Sequence, residues 1–271
     1  MNMSADQPSS LRLGLGLIGI GRPWGAAKAD VPNEADALSL LEDAVRLGVT
    51  FFDTAPAYGL SERRLGKFLR GLAKPTRDRI FVATKFGEHW NPMTQSTYVD
   101  HSYAALIRSL ETSLELLGGR IELVQVHKAT VDVLNRDDVQ RALEFAASLG
   151  VSAFGASASD ADTLNHASNS QRFAFVQMPL NAQNTQFAAE ADYAVKHGKS
   201  VIANRPFAMG QLVDPKRGST DGLTQAFACI CSRVRKGVVL TGTKSSQHLA
   251  QNIRAFELAS QQSNEARHDG A

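Results

Sequence analysis

The chain has 271 residues, 43% of them hydrophobic, and sets 29 basic side chains against 27 acidic ones for a net charge of +2. That length and apolar content suit one α/β barrel, and so even a charge excludes nucleic acid or a membrane surface as the main partner. No run approaches the roughly 20 apolar residues of a membrane span. Residues 1–10 are polar, with no apolar stretch of signal-peptide type, so a cytoplasmic location is expected. Cys229 and Cys231 stand two apart in an expected helix. That spacing turns them to different faces, so two buried free thiols are expected rather than a disulfide.

In chain order, residues 1–10 read as disordered, 11–260 as one domain and 261–271 as a polar tail that frays. Residues 11–21 form a strand start unusually rich in glycine (Gly14, Gly16, Gly19, Gly21). Such a strand lets another group approach its backbone closely. It does not read G-x-G-x-x-G followed by a helix, which excludes a Rossmann fingerprint. Asn33 is placed to cap a helix running to Leu47. A strand at 49–52 follows, then a helix at 61–72 capped by Ser61. Next come a strand at 79–84 ending at Lys85, a long polar loop at 86–99, and a helix at 100–117 stopped by Gly118 and Gly119. A strand at 121–126 ends at His127.

The pattern continues with a helix at 137–149, a strand at 151–156 and a short helix capped by Ser159 or Asp160. Strands at 173–177, 200–203 and 237–240 alternate with helices at 187–197, 220–235 and 246–260. A loop spans 205–218. Short, mostly apolar strands signal a sheet buried on both faces, hence parallel. About eight β-α units predict a closed (β/α)8 TIM barrel, a single domain, over an open doubly wound sheet.

In such a barrel the residues just after each strand gather at one mouth. Here they are Asp53, Lys85, His127, Ser157, Gln177, Asn204, Arg205 and residues 241–244, with Tyr58 from the second loop. A tyrosine keeps its proton at neutral pH, its free pKa being about 10, and a nearby ammonium is expected to lower that value. A carboxylate beside the lysine keeps it charged. A histidine can hydrogen-bond a carbonyl oxygen and fix its position. Together these groups suit protonation of a carbonyl oxygen while hydride reaches its carbon. Each has a plainer reading alone: a surface lysine, a strand-end histidine, a cap or barrel carboxylate, loop packing.

The segments resemble the aldo-keto reductase superfamily from about Leu11 to Phe256. The matching text is Asp53-Thr54-Ala55-x-x-Tyr58-Gly59-x-Ser61-Glu62 with Leu65-Gly66; Val82-Ala83-Thr84-Lys85; Glu122-Leu123-Val124-Gln125-Val126-His127; Gly155-x-Ser157; Arg205-Pro206-Phe207-x-x-Gly210; and Gly242-Thr243 with Leu249 and Asn252. The resemblance implies a catalytic set of Asp53, Tyr58, Lys85 and His127, with Tyr58 the general acid or base. It implies an extended nicotinamide coenzyme, NADPH with NADH as the alternative. The expected coenzyme contacts are Gly16, Leu17, Asp53, Ser157, Gln177, Asn204, Arg205, Pro206, Phe207, Gly210, Gly242, Thr243, Lys244, His248, Gln251 and Asn252. No metal is implied. Thr243, Lys244 and Ser245 also lie near a helix N-terminus, where outward N–H groups suit an anion.

Three departures stand out. Ala158 replaces an asparagine usual in the family, Asn204 stands where a ring-stacking side chain often does, and His248 replaces a frequent arginine. Lys244 is the remaining candidate for a 2′-phosphate. The chain is short for the family after Phe207 and at the C-terminus, so an open substrate pocket is expected, with Trp24, Phe86, His89 and Trp90 as candidate walls. The expected partner is a small carbonyl or alcohol; oligomeric state is open. Two other functions fit the same residues: a coenzyme-binding sensor or partner subunit with little turnover, and a Schiff-base enzyme using Lys85.

Overall fold

The computed structural model describes residues 10–25, 30–210, 212 and 220–268. The expected disorder of residues 1–9 and most of the loop after Gly210 lie outside the described residues. Strands form at β1 (Leu11–Gly16), β2 (Phe51–Asp53), β3 (Phe81–Phe86), β4 (Glu88–Asn91), β5 (Ser96–Val99), β6 (Leu123–Val126), β7 (Ala153–Ser157), β8 (Phe175–Pro179), β9 (Ser200–Asn204) and β10 (Gly237–Thr241). All but β4 and β5 pair in parallel and close into a barrel in the order β1-β10-β9-β8-β7-β6-β3-β2. The sheet therefore follows chain order around the ring, with helices outside.

Helices are α1 (Glu34–Arg46), α2 (Ser61–Gly71), α3 (Lys74–Arg77), α4 (Tyr103–Leu117), α5 (Val131–Asn135), α6 (Asp137–Ser148), α7 (Ala161–Asn169), α8 (Ala188–Lys196), α9 (Thr220–Cys231) and α10 (Ser246–His268). The Asn33 side chain accepts from the Asp36 N–H at 2.9 Å and Asp160 from the Thr163 N–H at 2.8 Å, as their positions require of N-caps. Gly118 ends α4 at φ 76°, a conformation glycine adopts without Cβ penalty.

The two-residue period of a strand sorts side chains between two cores. Phe51, Ala83, Leu123, Ala153, Phe175, Ile202 and Val238 fill the barrel interior. Phe52, Val82, Val124, Val176, Val201 and Val239 face the helices in the outer core. Two residues further along β2, β3, β6, β7, β8 and β9, the same interior-facing positions carry Asp53, Lys85, Gln125, Gly155, Gln177 and Asn204. The interior thus passes from apolar to polar toward one end. At the other end the Arg12 guanidinium covers the rings of Phe51 and Phe81, 5.5 and 5.8 Å from their centroids. A Cβ at Gly14 would lie 2.7 Å from Val238 Cγ1, so glycine is what allows this layer to close. Likewise a Cβ at Gly66 would lie 1.8 Å from the Leu116 carbonyl oxygen, because α2 and α4 touch backbone to backbone.

Several local expectations are corrected. Residues 88–99 are not a loop: β4 and β5 form an antiparallel hairpin pairing Glu88 with Val99 and Asn91 with Ser96. Ser61 does not cap α2. The cap position is Leu60, without a side-chain bond, and the Ser61 hydroxyl instead meets the Thr54 hydroxyl in the interior. Helix α10 continues to His268, into the polar tail expected to fray from residue 261, and α5 was not anticipated. Both cysteines are free, but only Cys231 is buried; Cys229 is half-exposed.

Candidate active site

Three consecutive strand ends deliver the first cluster. Asp53 ends β2, Lys85 lies near the end of β3 and His127 follows β6. The loop after β2 turns through Pro56–Tyr58 and brings Tyr58 over them. Lys85 Nζ donates to Asp53 Oδ2 at 2.6 Å and to the Thr54 carbonyl at 3.0 Å. Gln125 Nε2 donates to the other Asp53 oxygen at 3.1 Å. The lysine and aspartate side chains are 0% and 2% exposed. Lys85 Nζ lies 4.7 Å from the Tyr58 ring centroid. The His127 ring meets Tyr58 edge-on, 6.1 Å between centroids.

Burial and charge oppose each other here. Burial pulls the Lys85 ammonium down, but the Asp53 carboxylate and Tyr58 outweigh it and hold the group above its ordinary value. Lys85 is therefore a fixed cation, which makes it a poor Schiff-base nucleophile. For Tyr58, burial pushes the phenol up and Lys85 opposes it, with burial prevailing. The expectation that the ammonium would lower this pKa is thus corrected: Lys85 acts in that direction, yet desolvation of the phenolate is the larger effect. Tyr58 holds its proton at neutral pH. His127 lies well below the usual imidazole value, through burial first and then through the cations Lys85, Lys128 and Arg22. It is neutral, with one N–H to donate.

These groups open onto a cavity of about 1560 Å³. Tyr58, Asp53 and His127 share its wall with Ser157, Gln177, Asn204, Arg205, Pro206, Phe207 and Gly210. Gly16, Gly242, Thr243, Lys244, His248, Gln251 and Asn252 line it further along. Leu17 does not: its side chain is buried in the outer core, and its N–H donates to the Asp53 carbonyl at 2.9 Å. Of the four expected pocket walls, Trp24 lines the cavity. Phe86 is buried in the core, and His89 stacks on Tyr98 across the hairpin at 5.1 Å. Trp90 packs on Arg22 instead.

A nicotinamide coenzyme fits this lining. The side-chain carbonyl oxygens of Gln177 and Asn204 are buried without a hydrogen-bond partner. Both face one cavity, and such acceptors are costly unless something donates to them. A carboxamide N–H would do so, and Ser157 stands on the neighbouring strand. Ala158 offers no further amide. Arg205, Ala208 and Met209 adopt positive φ of 57°, 47° and 60°, unfavourable for non-glycine residues. The strained turn is pinned where the Asn181 side chain donates to the Arg205 carbonyl at 3.0 Å. At the far end Lys244 Nζ donates to the Asp30 carbonyl. Asn252 is tied to Thr241 at 2.8 Å.

Sequence reasoning missed Glu88, Gln125, Glu62 and Arg22. Glu88 Oε2 lies 3.2 Å from His127 Nδ1 and Glu88 Oε1 lies 3.8 Å from Lys128. The signal for it was the alternation around Asn91-Pro92, a hairpin pattern. Glu62 was part of the quoted motif but was assigned no role. It is 3% exposed and accepts from the Thr84 hydroxyl at 2.6 Å. Burial pushes its carboxyl up to about 7, against the Thr84 hydrogen bond, the nearby Ser113 hydroxyl and the charge of Lys85.

That shift has a stability consequence. The folded state binds the Glu62 proton more tightly than the unfolded chain, so stability falls as pH rises from 4.5 toward 7 and then levels. The loss amounts to about 3 kcal/mol. Glu62→Gln, which stays neutral, is expected to lack this slope. Urea midpoints at pH 5 and pH 8 measure it; an unchanged slope in the variant would show that Glu62 is not its source.

A model described as the aldo/keto reductase family matches residues 12–226. L-galactose dehydrogenase from Arabidopsis thaliana is 35% identical over 130 residues, covering 47% of this chain and 34% of that protein. An uncharacterized oxidoreductase from Bacillus subtilis is 28% identical over 182 residues, 66% of this chain and 58% of its own length. The chain thus spans about a third to three-fifths of these curated relatives. A solved structure from Pseudomonas aeruginosa, described as a candidate aldo-keto reductase, superposes with TM-score 0.76 at 30% identity. It covers 91% of this chain and 90% of its own.

Proposed function

We propose, this chain being a member of the aldo/keto reductase family, that it interconverts a small carbonyl compound and its alcohol using a nicotinamide coenzyme, NADPH in preference to NADH. The observation that carries the reading is Tyr58 set over the buried Lys85–Asp53 pair, with neutral His127 edge-on to it, at the wall of one long cavity. The coenzyme, when bound, supplies or accepts the hydride. Everything else falls to side chains. His127 donates a hydrogen bond to the carbonyl oxygen and fixes its place. Tyr58 delivers its phenolic proton to that oxygen, or removes it in the reverse direction. Lys85 stabilises the phenolate left behind, and Asp53 with Gln125 keeps Lys85 charged and aimed.

Gln177, Asn204 and Ser157 would hold the carboxamide, the turn at Arg205–Gly210 would follow the pyrophosphate, and the segment Gly242–Asn252 would take the adenosine end. The preference for NADPH rests on Lys244 and His248 at that end of the cavity. The enzyme acts in the reducing cytoplasm, where Cys229 and Cys231 persist as thiols.

Fluorescence titration with each dinucleotide, followed by NADPH absorbance against a panel of aldehydes, ketones and sugars, tests this. The expected result is tighter binding of NADPH than of NADH, and turnover of some member of the panel. Tight binding with no single-turnover hydride transfer would instead leave a coenzyme-binding module.

A further inference from the structure

Arg22 is placed unlike any other cation of the site. Its guanidinium carbon lies 5.3 Å from the Trp24 ring centroid and 5.1 Å from that of Trp90. The chain has two tryptophans in all, and Arg22 packs against both. One comes from the segment after β1 and one from the hairpin strand β4, so the clamp joins two distant parts of the chain. Arg22 and Trp24 both line the cavity, alongside Tyr58, Glu88 and His127. Its charge is felt at His127, and the charges of Glu88 and Tyr58 are felt at Arg22. That places it at the end where the carbonyl would sit, away from the expected adenosine end.

The charges around the proposed reacting groups match up except for one. Lys85 pairs with Asp53 at 2.6 Å, and Lys128 lies 3.8 Å from Glu88. Arg22 has no carboxylate within ion-pair distance among the described residues, and its Nε is buried without a hydrogen-bond partner. A guanidinium does not lose its charge in a protein. Stacking on indole faces offsets part of its lost hydration, but it satisfies none of the in-plane N–H groups, of which Nε is buried and unpartnered. Those N–H groups form a planar fork that matches a carboxylate with two parallel bonds. Glu88, in the same wall, disfavours a second negative charge.

We propose that Arg22 is a specificity-determining residue that recognises a carboxylate on the substrate, so that the preferred substrate is an aldehyde or ketone carrying one carboxylate remote from its carbonyl. This rests on the carbonyl–alcohol reading above. Trp24 and Trp90 hold the fork in place, so little side-chain freedom is lost when the anion arrives.

The test compares 5-oxopentanoate with its uncharged methyl ester. Wild type is expected to favour the acid in kcat/KM by about tenfold to a hundredfold, the range for hydrogen bonds to a charged partner. Arg22→Met should bring the acid-to-ester ratio close to one. Arg22→Lys, which keeps the charge, should retain a higher ratio than Arg22→Met. The ratio is taken within each variant, so partial misfolding cancels. Because both tryptophans stack on Arg22, their fluorescence gives a second readout that needs no coenzyme and no turnover. The acid should perturb it at a concentration at least about tenfold below the ester in wild type and not in Arg22→Met. An acid-to-ester ratio near one in wild type, or an unchanged ratio in Arg22→Met, overturns the proposal. If neither compound is reduced, the fluorescence difference between acid and ester alone decides for or against the anion site, and the carbonyl–alcohol reading is decided separately on the wider panel.

Discussion

Tyr58→Phe is expected to lower kcat for carbonyl reduction by about 10²- to 10⁴-fold, the usual contribution of a positioned general acid, while leaving coenzyme affinity nearly unchanged. The substitution removes one oxygen and keeps the ring. The edge contact with His127 and the packing over Lys85 therefore persist, and the Lys85–Asp53 pair does not involve the missing hydroxyl. Only the proton to be delivered is lost. Single-turnover NADPH oxidation, with the dinucleotide titrated separately, checks both halves. Turnover within about threefold of wild type would remove Tyr58 from the proton step, since acid catalysis contributes at least about 10²-fold. Because burial holds the phenol above its ordinary value, reduction should also stay flat through neutral pH. It should fall only in the strongly alkaline range, where the proton finally leaves.

Lys85→Met is expected to destabilise the fold by about 3–5 kcal/mol and to abolish activity as well. The change strips Asp53 of its cation at a position closed to water, and a buried charge left alone costs about that much. Gln125 donates to one carboxylate oxygen and stays, but it brings no charge. Adding Asp53→Asn should recover much of the lost stability, since the remaining groups are all neutral, without recovering any turnover. Urea denaturation of the two single variants and the double variant gives the coupling. Additive losses would mean that the pair is not the unit the geometry describes. The predicted split, stability restored and catalysis not, separates the cost of burying the pair from its proposed use.

The short, mostly apolar runs between helices, read along the chain, already implied parallel strands buried on both faces and a closed ring of eight. It also implied which residues stand at the strand ends, because side-chain direction in a strand is a local property of the backbone. Asp53, Lys85, His127 and Gln177 were legible for that reason. Local capping was legible at Asn33 and Asp160, where the partner is three residues away. It failed at Ser61, whose hydroxyl found a partner seven residues back, inside the barrel. Leu17 and Phe86 sit beside the cavity in the chain but turn into the core, a choice that packing makes.

Tertiary structure alone decided the rest. The direction of the Tyr58 shift turns on how much water the folded chain removes, and a list of neighbouring charges cannot supply that. Glu88 beside His127, and Arg22 beside Trp90, join residues tens of positions apart. Nothing in a one-dimensional pattern encodes those distances, because they arise only when the ring closes and its loops fold over a common mouth. The sequence determined which chemical groups reach the mouth; the closed barrel decided which of them are paired and which are neutral.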